Sequence, residues 1–139
     1  MRPTAGMTDA LLAIDDLGDD LEAVLRWAIE FKRLWKSGDE VVLNFMPLDT
    51  LTVGCIYEKP STRTRVSFEV GIDRLGGNPL TLLKNDIQLG TSETVSDTAK
   101  VLSRFLGAIT YRCYAHADVT ELAESADVPV INALSDKHH

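Results

Sequence analysis

Between Asp19 and Lys36 the apolar residues Leu21, Val24, Leu25, Ala28, Phe31 and Trp35 recur at steps of three and four, the period of one face of an α-helix. Asp19, Asp20 and Glu22 at the start of this stretch, with Lys32, Arg33 and Lys36 near its end, complement the helix dipole, and Gly38 supplies a stop. Residues 39–52 read as a connector. Beyond them the pattern changes to short apolar runs at 53–57, 80–83, 108–114 and 128–133, which predict strands buried on both faces. Between and after these runs lie helix-like stretches at 62–75, 95–106 and 119–125, each able to provide a crossover. Strands alternating with helices predict the α/β class: a three-layer domain with a central parallel sheet of about four strands flanked by helices. No repeat, low-complexity tract or linker divides the chain, so residues 1–139 read as one domain.

Composition narrows the possible functions. With 139 residues, 45% of them hydrophobic and 25% charged, the chain can bury one compact core. No stretch approaches the roughly 20 apolar residues that a membrane span requires, and the opening residues lack a signal-peptide core, so a cytoplasmic location is expected. A net charge of -7 argues against nucleic acid or an anionic membrane as partner, because both bind through clustered Lys and Arg. Any anion must therefore be held locally. Cys55 and Cys113 fall inside apolar runs, where a thiol behaves as a small hydrophobe, and no disulfide between them is expected.

Open α/β sheets bind ligands beyond the carboxyl ends of their strands. That rule directs attention to three places: the turn at 58–65, the stretch 84–94, and the end of the third strand around Arg112. In the first, Ser61-Thr62-Arg63-Thr64-Arg65 opens a helix directly after a buried strand. Free N–H groups at a helix N-terminus, hydroxyls on the same turn and a guanidinium able to grip two oxygens together suit an oxyanion. The plainer reading of the same residues is that Ser61 caps the helix and the arginines are solvated.

Taken with Val66-Ser67-Phe68-Glu69, this turn resembles the phosphate-binding signature of the aspartate and ornithine carbamoyltransferase family. Leu75-Gly76-Gly77, Gln88-Leu89-Gly90, Glu93-Thr94, Asp97-Thr98, Val101-Leu102-Ser103-Arg104 and the run from Val128 to Asp136 continue the resemblance in order, over about residues 9 to 139. It implies the carbamoyl phosphate-binding domain of such an enzyme. Ser61, Thr62, Arg63 and Thr64 are then expected to bind the phosphate, with Thr64, Arg112 and His139 near the carbonyl oxygen. Gln88 would reach the site of an adjacent subunit, which implies a homotrimer or higher oligomer, and Glu58 would orient Arg63 or Arg65, with Arg65 in support. His138 and His139 also fit the remnant of a purification tag, and His116 reads as a solvated loop side chain.

Gln88-Leu89-Gly90 and Leu134-Ser135-Asp136 resemble the ornithine enzymes more than the aspartate ones, although enzymes acting on putrescine share much of this text. The resemblance thus implies transfer of a carbamoyl group to the δ-amine of ornithine in arginine biosynthesis, with no metal or organic cofactor. The family's Asp-x-x-x-Ser-Met-Gly loop and His-Cys-Leu-Pro segment, which hold the amine substrate in a second domain, do not occur in this chain, so the chain alone is expected to be inactive. A different reading, a non-catalytic anion-binding α/β module, would need carbamoyl phosphate to play no part.

Overall fold

The computed structural model describes residues 10–87, 89 and 92–139. A two-residue strand β1 (Ala10–Leu11) leads through a 3-10 segment (Ile14–Asp20) into helix α1 (Leu21–Ser37) and a single-turn helix α2 (Glu40–Leu43). Then follow β2 (Thr52–Tyr57), α3 (Arg63–Arg74), β3 (Asn78–Leu83), α4 (Val95–Leu102), β4 (Ala108–Arg112), α5 (His116–Ser125) and β5 (Val130–Leu134). The five strands form one sheet in the order β1-β5-β4-β2-β3, and every pairing is parallel.

The predicted α/β architecture is therefore present, with five strands. The added one, β1, pairs Ala10 with Val130 and Leu11 with Ile131, and two residues carry no periodic signal. Helix α2 interrupts the predicted connector, its start capped by the Asp39 carboxylate, which accepts from the Val41 N–H. Helix α5 begins three residues earlier than expected, α4 ends at Leu102, and β4 stops at Arg112.

Strands β2 and β4 are buried on both faces, as their continuous apolar character predicted. On one face Ile56, Ile109, Tyr111 and Val130 pack with Val95 and Ala99 of α4 and Val119 and Leu122 of α5. On the other, Val53, Cys55 and Tyr57 pack beneath Ile72 of α3. Each large apolar side chain taken fully out of water contributes about 1.5–3 kcal/mol, so this doubly covered centre holds the sheet rigid. Two expectations fail. Strand β3 is an edge strand with alternating exposure, because among the described residues only β2 pairs with it. Helix α1 forms where predicted and stops at Gly38 (φ 72°), yet buries no residue; on the predicted apolar face Val24 is 46% and Leu25 54% exposed.

Both cysteines are free and buried. Burial pushes the Cys113 thiol up to about 11 and raises that of Cys55 too, so neither is a ready nucleophile. Among the described residues no helix is long and apolar enough to cross a membrane.

Candidate functional site

From β2 the chain passes through α3 to β3 on one side, while β4 lies on the other side of β2. The strand order thus reverses beside β2, and a crevice opens at the carboxyl ends of β2 and β4, where such sheets bind ligands. Tyr57 and Arg112, the last residues of the two strands, stand in register. The loop after β2 carries the Ser-Thr-Arg turn, and a cleft of about 610 Å³ there is lined by Ser61, Thr62, Arg63, Thr64, Arg112 and His139. Six of the seven residues expected to bind ligand are thus brought together; Gln88 lies outside the described residues. Pro60, Ser67, Phe68 and Leu134 complete the wall and were not among the residues expected to bind ligand, although Ser67, Phe68 and Leu134 stand in segments that carry the resemblance.

The plainer capping reading does not hold. The residue at the N-cap of α3 is Thr62, not Ser61, and its side chain makes no capping bond. The first turn therefore keeps its N–H donors directed outward together with its hydroxyls. Among the described residues the Arg63 guanidinium has neither an ion pair nor a hydrogen-bond partner. Arg112 is different: its Nη1 donates to Thr64 Oγ1 at 3.1 Å, which fixes the fork against the helix, while its Nε is buried with no partner. A buried charged donor left unpaired costs about 1–3 kcal/mol or more.

Glu58 does not orient Arg63 or Arg65. Its side chain, 9% exposed, accepts from the Tyr114 N–H at 3.0 Å and lies 3.7 Å from Lys84 Nζ. With the Glu58 N–H donating to Arg112 O at 2.9 Å, it fastens the ends of β2 and β4 together. Arg65 instead pairs through Nε with Glu69 at 2.8 Å, and Glu69 also accepts from the Thr81 hydroxyl. These two partners hold the Glu69 carboxyl below its ordinary value. Glu69, paired with Arg65 on its own helix, thus ties α3 to Thr81 of β3, and Arg63 is left as the unpaired cation of the cradle among the described residues.

Across the cleft the chain enters from β5. Leu134 has φ 144°, a conformation costing a non-glycine residue about 1–3 kcal/mol. A shift in register between Tyr111 and Arg112 accompanies it. Beyond Leu134 a turn at 135–138 leads to His139. His116, read from sequence as solvated, heads α5 and touches this turn. No group of three or more His, Cys, Asp or Glu among the described residues is placed to hold a metal ion.

Residues 10–139 match the family described as aspartate/ornithine carbamoyltransferase, carbamoyl-P binding domain, a span that includes His138 and His139. An ornithine carbamoyltransferase of Methanopyrus kandleri is 48% identical over 140 residues, covering 100% of this chain and 44% of that protein. A catabolic ornithine carbamoyltransferase of Thermoplasma volcanium is 47% identical, covering 93% of this chain and 40% of the relative. Among solved structures, ornithine carbamoyltransferase from Pyrococcus furiosus superposes with a TM-score of 0.84 at 46% identity, over 91% of this chain and 40% of that one. The chain thus spans well under half the length of the relatives it matches.

Proposed function

Because the chain belongs to the aspartate/ornithine carbamoyltransferase family, matching its carbamoyl-P binding domain over residues 10–139, we propose that it forms the carbamoyl phosphate-binding domain of an ornithine carbamoyltransferase. A second domain would supply the ornithine site. The observation that carries this reading is the cradle itself: an uncapped helix start bearing Ser61, Thr62 and Arg63 faces Arg112, whose buried Nε has no acceptor.

In this proposal the first turn of α3 and Arg63 hold the phosphate, which leaves as the dianion. Thr64, Arg112 and His139 surround the carbonyl oxygen, on which charge builds. The neutral δ-amine of ornithine attacks the carbonyl carbon, the bond from that carbon to the phosphate oxygen breaks, and the proton lost by the amine is taken up by the departing phosphate, giving citrulline and the hydrogen phosphate dianion. Preorganised donors of this kind commonly lower a barrier by several kcal/mol. Alignment of the two reactants supplies the rest, and that requires the second domain to close. The biosynthetic direction and a cytoplasmic setting belong to the same proposal. The same donors serve the reverse transfer, consistent with a relative named as catabolic. Ornithine, rather than aspartate or putrescine, is supported by the names of the relatives.

Calorimetric titration of the chain with carbamoyl phosphate tests the reading. Millimolar or tighter binding is expected, with Arg63→Ala at least ~10-fold weaker, the equivalent of one charged hydrogen bond. No citrulline should form when ornithine is added. Equal binding by the parent and the Arg63→Ala chain would remove the cradle assignment.

A further inference from the structure

His139 enters the cleft directly after the turn at 135–138, so the shape of that turn decides where its imidazole points. The turn is closed by Ser135 N donating to His138 O at 2.8 Å and His138 N donating to Ser135 Oγ at 3.1 Å, with longer bonds from Ser135 Oγ to His138 O and from Lys137 N to Ser135 Oγ, both 3.3 Å. It springs from the strained backbone of Leu134, which persists only where its surroundings over-determine it. Part of that determination comes from Asn132, whose Oδ1 accepts from Leu134 N at 3.0 Å while its Nδ2 donates to Leu12 O at 2.9 Å. Asn132 Nδ2 also donates to Ser135 Oγ at 3.4 Å and to His138 O at 3.3 Å, Cys113 N donates to Leu134 O at 3.0 Å, and a further hold comes from His116.

Three contacts run from this one residue into the turn. Its ring Nδ1 lies 2.9 Å from Ser135 Oγ, the oxygen on which the turn closes. Its backbone N–H donates to Asp136 Oδ1 at 2.7 Å. Its ring meets that of His138 edge-on, with centroids 5.1 Å apart. Ser135 is 5% exposed, so water does not replace these partners easily. A residue that only started α5 would need the backbone contact alone; the ring contacts serve the turn.

We infer that His116 is a positioning residue, whose imidazole holds the turn at 135–138 in the shape that presents His139 to the anion cleft. The role of His139 at the ligand rests on the function proposed above; the hold of His116 on the turn does not.

Two substitutions separate the contacts. His116→Phe keeps a ring against His138 without the hydrogen bond, and His116→Asn places an amide nitrogen near the position of Nδ1. In the ligand-free chain, the His138 amide should exchange with solvent roughly tenfold faster in His116→Phe and within about twofold of the parent in His116→Asn. Inorganic phosphate, followed by titration and by the His139 imidazole resonance, should bind about three- to tenfold more weakly to the Phe variant, with the Asn variant restored. A Phe variant that matches the parent in exchange and affinity overturns the inference, as does an Asn variant no better than the Phe one. Should the parent chain bind no phosphate while the amide responds as stated, the cradle reading fails and the positioning role stands. Should the Phe variant not fold, His116→Leu removes the same bond while leaving Ser135 Oγ, the acceptor of the His138 amide, in place. Its His138 amide should then exchange faster too, and a protected amide would count against the inference.

Discussion

Glu69 shows how a single side chain is tied to a condition that can be varied. Its carboxyl is held below the ordinary value of 4.5, first by the Thr81 hydroxyl and then by Arg65. A carboxyl whose folded pKa is depressed adds stability that is complete above its unfolded value and is lost as pH falls through the folded one. Glu69→Gln should therefore be less stable than the parent at neutral pH, and the difference should shrink as pH is lowered below about 4.5, as denaturant unfolding across pH would measure. A gap that stays constant down to pH 2 would mean that the ion pair contributes nothing. At the same scale, Ser61, Thr62, Arg63 and Thr64 could be read in advance because they lie side by side on one turn. Arg112 was placed among the candidates by the rule on strand ends, but its role at the ligand came from the resemblance. His116 could not be recognised at all: its partner Ser135 stands 19 residues away, and no local pattern encodes that meeting.

Individual elements were legible in proportion to how completely neighbours cover them. Continuous apolar runs located β2 and β4 because both of their faces are buried; β3 gave the same signal from an edge, where alternation is the better description. Helix α1 is the reverse case, a clear periodic stripe with little packed on it among the described residues. Helix α4 owes its start to a local device, since Thr94 Oγ1 accepts from Asp97 N at 3.0 Å and donates to the Asp97 carboxylate at 2.8 Å. Thr94→Ala should lower unfolding free energy by about 1 kcal/mol in urea titration, and Thr94→Ser should largely preserve it. An alanine variant as stable as the parent would show that packing of Val95 and Ala99 alone starts the helix.

At the scale of the whole molecule, the uncovered apolar side chains of α1 and the two open edges of the sheet call for a partner surface. The family resemblance carries the expectation of a homotrimer or higher oligomer. Sedimentation equilibrium of the chain is expected to find such a species at micromolar concentration, and a monomer throughout would overturn that expectation.

The pairing of β1 with β5 also has a kinetic side. Ala10 and Leu11 find partners only at Val130 and Ile131, and the Asn132 amide bonds to Leu12 O across 120 residues of chain. Contacts so distant in sequence form late and slowly, since nearly the whole chain must be closed into a loop before they return any free energy. During synthesis the first turn of α3 exists long before the wall opposite it. The proposed anion cleft is accordingly among the last features to mature, and a nascent chain passes through a stage in which its core is packed while the face bearing that cleft is still half built.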